Sequence, residues 1–163
     1  MSPSSSTPVS RQSASAVEQV DVRGPRFVAW VTTAVLVATI VVSAVSTVAA
    51  AVLLGLQALV FAIGAARGPR RHPYGVVFGR LVAPRLGPVT DREPVPPLKF
   101  AQLVGLVFAG AGTIAFAAGA PLAGLVFTAF ALFAAFLNAA FGICLGCALY
   151  PLAVRLRRPA SPA

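Results

Sequence analysis

Apolar and polar positions divide this chain into long blocks. Phe27–Ala66 and Phe100–Val154 contain no charged residue. A helix crosses the hydrocarbon core of a bilayer in about 20 residues, so each block is too long for one crossing and long enough for two. In lipid, every backbone amide must be paired within its own segment unless a barrel closes. A barrel would need alternating polar residues, and none alternate here, so both blocks predict helices. In the first block Ser43–Thr47 (SAVST) is the only polar cluster and predicts a turn, with helices at about 27–45 and 48–66. In the second, Gly119 and Pro121 mark the turn between helices at about 100–118 and 122–142, the last with an extension to 155 that either runs along the interface or makes a short re-entrant turn. The predicted fold is all-α, a polytopic membrane protein with four transmembrane helices arranged as two hairpins.

The polar segments refine this outline. Residues 1–20 are rich in serine, with Pro3 and Pro8, and lack an apolar period, as in a disordered tail. A compact lead-in follows at 21–27 (DVRGPRF), where Gly24-Pro25 opposes a helix, and Trp30 stands where an interfacial aromatic would sit. Arg23 and Arg26 before an apolar stretch, with the small residues Val48, Ala49 and Ala50 beyond it, could also read as a secretory leader. The second apolar span follows with no polar sequence between, which favours the hairpin. The connection 67–99 is interrupted by prolines from Pro69 to Pro97. Within it Val77, Phe78, Leu81 and Val82 recur at helical spacing beside Arg80 and Arg85. They suit either a short amphipathic segment on the membrane surface or an ordinary packed loop. The third span should begin after Pro96-Pro97, and its small residues Ala101, Gly105, Ala109 and Gly112 form a stripe for close helix–helix approach. The phenylalanines from Phe127 to Phe141 read as packing rather than a cofactor box. Residues 158–163 are a C-terminal tail.

Charge then sets the orientation. Only 10% of residues are charged, against about a quarter in soluble domains, and the mean hydropathy is +0.86. The 13 Lys and Arg fall in three blocks, at 11–26, 67–99 and 155–158, which leave the two short turns uncharged. The positive-inside rule places both termini and the basic middle loop in the cytoplasm, and four crossings return the chain to the same side. The net charge of +9 therefore points to anionic lipid headgroups rather than nucleic acid. Arginine dominance with abundant Ala, Val and Gly suits a GC-rich bacterial genome, and the expected location is the bacterial cytoplasmic (inner) membrane.

Candidate chemistry is sparse. Residues 138–150 read NAAFGICLGCALY, and Cys144 and Cys147 are the only cysteines, in a C-x-x-C spacing between Gly142 and Gly146. Two sulfurs so spaced can close a small disulfide loop or offer two ligands to a metal. Backbone amides at a helix start would also favour a thiolate. Three roles stay open: thiol exchange or sulfur carriage, soft-metal binding, and packing of two small apolar side chains on one helix face. A zinc site needs four ligands, and His72 on the same predicted side reads as a loop histidine near headgroups. Gln57, Gln102 and Asn138 are uncharged polar residues in spans, by default interhelical hydrogen-bonding groups. Asn138, close to the cysteines, is the one to connect with a site. No nucleophile triad, phosphate loop or carboxylate pair is visible, so no cofactor is implied.

Four blocks, DVRGPRF (21–27), GPRRHPYGVVFGRLVAPRLGP (68–88), KFAQLVGLVFA (99–109) and FLNAAFGICLGCALY (136–150), together resemble a bacterial integral-membrane family of uncharacterised role, the domain of unknown function 4395 family. The resemblance implies a four-span membrane protein with a glycine–cysteine motif closing the last span, here Gly142, Cys144, Gly146 and Cys147. Relatives are often encoded near rhodanese-like or thioredoxin-like proteins, which implies thiol or sulfur traffic and such a protein as partner. The leading expectation has Cys144 and Cys147 as attacking and resolving thiols, in either order, with Gly142 and Gly146 shaping the turn and Asn138 orienting it. The alternative is a non-enzymatic scaffold or transporter subunit, a homo-oligomer included, that docks a soluble partner through its basic loop.

Overall fold

In the computed structural model, residues 17–157 are described. The elements run β1 (Gln19–Asp21), α1 (Arg23–Ser43), α2 (Thr47–Arg67), the short α3 (Pro73–Val77), β2 (Arg92–Pro94), α4 (Val95–Ala117), α5 (Pro121–Phe141) and α6 (Leu145–Arg157). Four of them, α1, α2, α4 and α5, have 21, 21, 23 and 21 residues and are long and apolar enough to cross a membrane. At 1.5 Å per residue each spans the roughly 30 Å hydrocarbon core. They pack in a ring, α1 beside α2, α2 beside α4, α4 beside α5 and α5 beside α1. Val41, Val52, Leu59, Val107, Ile114 and Leu122 are exposed on its outside. So broad an apolar exterior is foreign to soluble monomers and is compatible with a multi-pass membrane protein.

Small residues set how closely the helices approach. Along the α2–α4 contact, a Cβ on Gly105 would meet the Phe61 ring at 2.9 Å, and one on Gly112 would meet Leu54 at 2.8 Å. The glycines of the predicted stripe thus face α2 and let two backbones close on large apolar side chains, the van der Waals packing that holds helices together in lipid. Both hairpin turns use local chemistry. Ser46 caps α2 by accepting the Ala49 N–H through its hydroxyl (3.2 Å), and Gly119 takes the left-handed conformation (φ 74°) before Pro121 opens α5.

Helix starts differ from the sequence expectation. Gly24-Pro25 does not hold off the first helix: α1 begins at Arg23, with the Asp21 carboxylate accepting the Arg23 N–H at 3.0 Å. Likewise α4 begins at Val95, with Pro96 and Pro97 inside its first turn instead of ahead of it. In a first turn proline's missing N–H has no intrahelical partner to lose, and its fixed φ suits the helix. Part of the expected 1–20 tail is also structured. Gln19, Val20 and Asp21 pair antiparallel with Pro94, Glu93 and Arg92, while 1–16 and 158–163 lie outside the described residues. The 67–99 connection is helical in pieces, with a 3-10 turn at Pro69–Arg71, then α3, a π-helical turn at Phe78–Val82 and a 3-10 turn at Ala83–Arg85. Phe78 is buried against Phe27, ring centroids 5.7 Å apart, whereas Leu81 is exposed.

Candidate functional site

The last span does not extend smoothly to 155. Gly142 adopts a left-handed conformation (φ 70°), with its N–H donating to the Asn138 carbonyl (3.1 Å) and that of Ile143 to Leu137 (3.3 Å). That conformation terminates α5 at little cost for glycine. The chain turns over three residues, Gly142 to Cys144, and α6 starts at Leu145 on a new axis, packed mainly against α4. Gly146 permits the crossing, since a Cβ there would lie 2.5 Å from the Ala101 Cα.

This reversal makes Cys144 the capping residue of α6. Its carbonyl accepts the Ala148 N–H (3.0 Å) and its Sγ accepts the Cys147 N–H (3.3 Å). Cys144 and Cys147 are joined as a disulfide, with Cα atoms 5.2 Å apart, within the span such a bridge accepts. Both are half-buried, yet they face different surroundings. Cys144 lines a cavity of about 380 Å³ enclosed by α1, α4, α5 and α6; Cys147 does not. Asn138 and Gly146 also line it, while Gly142 does not and instead caps the end of α5.

The rest of the lining is apolar except at three side chains. Thr32 from α1, Gln102 from α4 and His72 from the connection all reach the cavity. Thr32 is 2% exposed and His72 1%. Among the described residues, the buried polar atoms without a hydrogen-bond partner are Thr32 Oγ1, both His72 ring nitrogens, Gln102 Oε1 and Gln57 Nε2. Four of those five belong to the cavity-lining residues. By contrast Thr33, Thr39, Thr113 and Thr128 all donate to the carbonyl four residues earlier.

His72 occupies this position because Gly64 makes room. A Cβ on Gly64 would lie 2.5 Å from the imidazole Cδ2 and 2.9 Å from Gln102 Oε1. Burial pushes the imidazole pKa down to about 4, so it is neutral at ordinary pH. Gln102 stands close enough to oppose that shift, although neither ring nitrogen makes a hydrogen bond of standard geometry. Tyr74 packs edge-on to His72 at 5.3 Å and donates its hydroxyl to Gln57 Oε1 (2.9 Å). The Gln57 bond therefore runs to the connection rather than to another span.

Charge surrounds this end of the bundle. Arg23 and Arg26 lie in the first turn of α1, Arg67 ends α2, Lys99 lies early in α4 and Arg155 is on α6. Arg23 pairs with Asp21 at 2.7 Å and donates to the Gly87 carbonyl (3.1 Å), fastening the connection to the base of α1. The Arg23 guanidinium holds the Asp21 carboxyl below its usual range, against an opposing effect of burial. Burial raises the Glu93 carboxyl, and nearby Arg26 opposes that rise. No three of His, Cys, Asp and Glu gather into a metal-ligand set among the described residues.

The model of a family described as a domain of unknown function, DUF4395, matches residues 20–155. The chain belongs to the DUF4395 family. No curated protein and no solved structure matches. The four sequence blocks that resemble the family all fall within the matched span. In this DUF4395 chain the glycine–cysteine segment is where sequence reasoning looked for chemistry, and Asn138 lines the same cavity as Cys144. What the sequence missed is the polar lining supplied by Thr32 and His72. His72 reads as a headgroup-facing histidine and is instead buried, and nothing in the sequence separates Thr32 from Thr33.

Proposed function

We propose that this DUF4395 protein is a multi-pass membrane protein that exchanges disulfides through Cys144 and Cys147. One observation carries the reading: Cys144 both caps α6, its sulfur accepting the Cys147 N–H at 3.3 Å, and is one of the residues that line the cavity. In the reduced pair, that amide and the helix start favour a thiolate at Cys144. This thiolate attacks one sulfur of a substrate disulfide; the substrate S–S bond breaks, a mixed disulfide forms and one substrate thiolate leaves. Deprotonated Cys147 then attacks the Cys144 sulfur, releases the second substrate thiolate and closes the Cys144–Cys147 bond. The sequence is reversible, and its direction follows the potentials of the two couples. Gly142 and Gly146 set the turn, and Asn138 orients what meets Cys144. A persulfide handed to Cys144 would use the same thiolate.

The basic segments clustered at this end favour a cytoplasmic face, with a thioredoxin-like or rhodanese-like protein as partner. The test is labelling with a membrane-impermeant maleimide in intact cells and in inverted vesicles, with and without prior reduction. Label only in inverted vesicles, increased by reductant, supports both orientation and exchange. Absence of label from either side after reduction means packed, inert cysteines. The basic-loop scaffold would then replace the exchange reading, and truncation of 67–99 should be damaging where Cys144→Ser is not.

A further inference from the structure

An exchange pair needs a source or sink of two electrons, and the cavity beside Cys144 has features of its own that bear on this. Its lining is apolar, as in a small-molecule site, and its volume of about 380 Å³ is near the small end of the roughly 300–1,000 Å³ such sites occupy. Phe130, Phe133 and Leu149 line it and are also 57%, 58% and 49% exposed on the outer surface of the bundle. The mouth therefore opens sideways, between α5 and α6, toward the medium that surrounds the spans. Inside, the Thr32 hydroxyl and both His72 nitrogens are buried without partners. An unmet polar group in an apolar interior is costly; the Thr32 O–H and the single N–H of the neutral imidazole would be met by a guest carrying hydrogen-bond acceptors, while the other imidazole nitrogen is itself an acceptor. A threonine hydroxyl and a neutral imidazole each supply one donor.

We propose that the cavity binds the head group of a lipid-soluble quinone, with its two carbonyl oxygens facing Thr32 and His72 and its tail leaving through the lateral mouth. This rests on the exchange reading and names the electron acceptor. The reduced pair and the quinone react in balance: two S–H bonds break and one S–S bond forms. Two electrons and two protons pass to the quinone oxygens, giving a hydroquinone and the Cys144–Cys147 disulfide. The disulfide is then reduced again by a partner dithiol.

The test uses the full chain in quinone-free lipid nanodiscs, reduced, freed of reductant and mixed anaerobically with decylubiquinone. Quinone absorbance and thiol content are followed together, and exchange with a soluble dithiol is assayed separately. The expected result is loss of one quinone per chain with matching loss of both thiols, abolished in Cys144→Ser. Thr32→Val should fold, because it removes a hydroxyl that has no partner, and should weaken the apparent quinone affinity by about five- to tenfold while dithiol exchange is unchanged. His72→Phe should act in the same direction. Dithiol exchange without quinone reduction would overturn the quinone assignment and leave the exchange reading standing. Loss of both reactions in the native protein would remove the exchange reading as well. Quinone reduction that is equal in native and Thr32→Val proteins would mean reaction at an accessible thiol outside the cavity, which also overturns the site.

Discussion

Replacing Gly146 by alanine tests how α6 is held. The new Cβ would stand 2.5 Å from the Ala101 Cα, 2.6 Å from its Cβ and 3.3 Å from its backbone nitrogen. Carbon atoms rest at about 3.5–4.0 Å, so the overlap is about 1 Å and involves backbone that cannot rotate away. Nor can α4 retreat, because Gly105 and Gly112 already bring it against Phe61 and Leu54 of α2. The displacement must fall on α6, which lifts and carries Cys144 with it. Overpacking of this kind costs about 1–3 kcal/mol, and each kcal/mol lowers Tm by about 2–4 °C in a chain of this size. Thermal unfolding in mild detergent should show that drop. Maleimide should also modify the reduced Cys144 of Gly146→Ala several-fold faster than in the native protein. Gly110→Ala is the control, since nothing lies within 4 Å of a Cβ there. If Gly146→Ala and Gly110→Ala melt together and label at the same rate, α6 is not seated on α4 as argued.

Two further outcomes follow from the same geometry. An unfolded histidine titrates near 6.5, whereas folded His72 stays neutral down to about 4. Between those values the unfolded chain binds a proton that the folded one does not, so stability should fall as pH drops from about 6.5 to about 4, by up to about 3 kcal/mol. Melting across that range measures the slope, and a His72→Phe variant with an equal slope would assign it to other groups. Gly142→Ala places a Cβ on a residue at φ 70° and 3.4 Å from the Arg26 guanidinium. The left-handed conformation should cost about 1–2 kcal/mol, and exchange should slow because Cys144 is re-aimed; unchanged melting and exchange would refute the capping role.

The spans were legible because an absence defines them: no charge from Phe27 to Ala66 or from Phe100 to Val154. The turns were legible because serine, glycine and proline punctuate them. Helix starts were not, since Pro25, Pro96 and Pro97 look like breakers in sequence and sit harmlessly in first turns in the fold. The cysteine half of the site was visible as spacing between glycines. Its other half depends on long-range facts that leave no local mark. His72 is buried only because Gly64, on the preceding helix, lacks a side chain. Thr32 and Thr33 are sequence neighbours of one type, and only the second bonds back to its own helix.

That asymmetry between the threonines also bears on what the cavity is for. A threonine in an apolar helix normally satisfies its hydroxyl on the carbonyl one turn back, and four of these do so between 2.7 and 2.9 Å. Thr32 forgoes that bond in the cavity where His72 and Gln102 also keep unpaired atoms and which Cys144 also lines. If the spans were merely packing surfaces, the unsatisfied atoms should scatter among them or be replaced by alanine and valine, which this chain uses freely elsewhere. Instead they converge from α1, α4 and the connection onto the cavity that Cys144 also lines. Polar groups left open together in an otherwise consistent fold mark a place shaped for a guest rather than for stability. This convergence, more than the cysteine spacing, is what favours the proposed exchange role over two small residues that share a helix face.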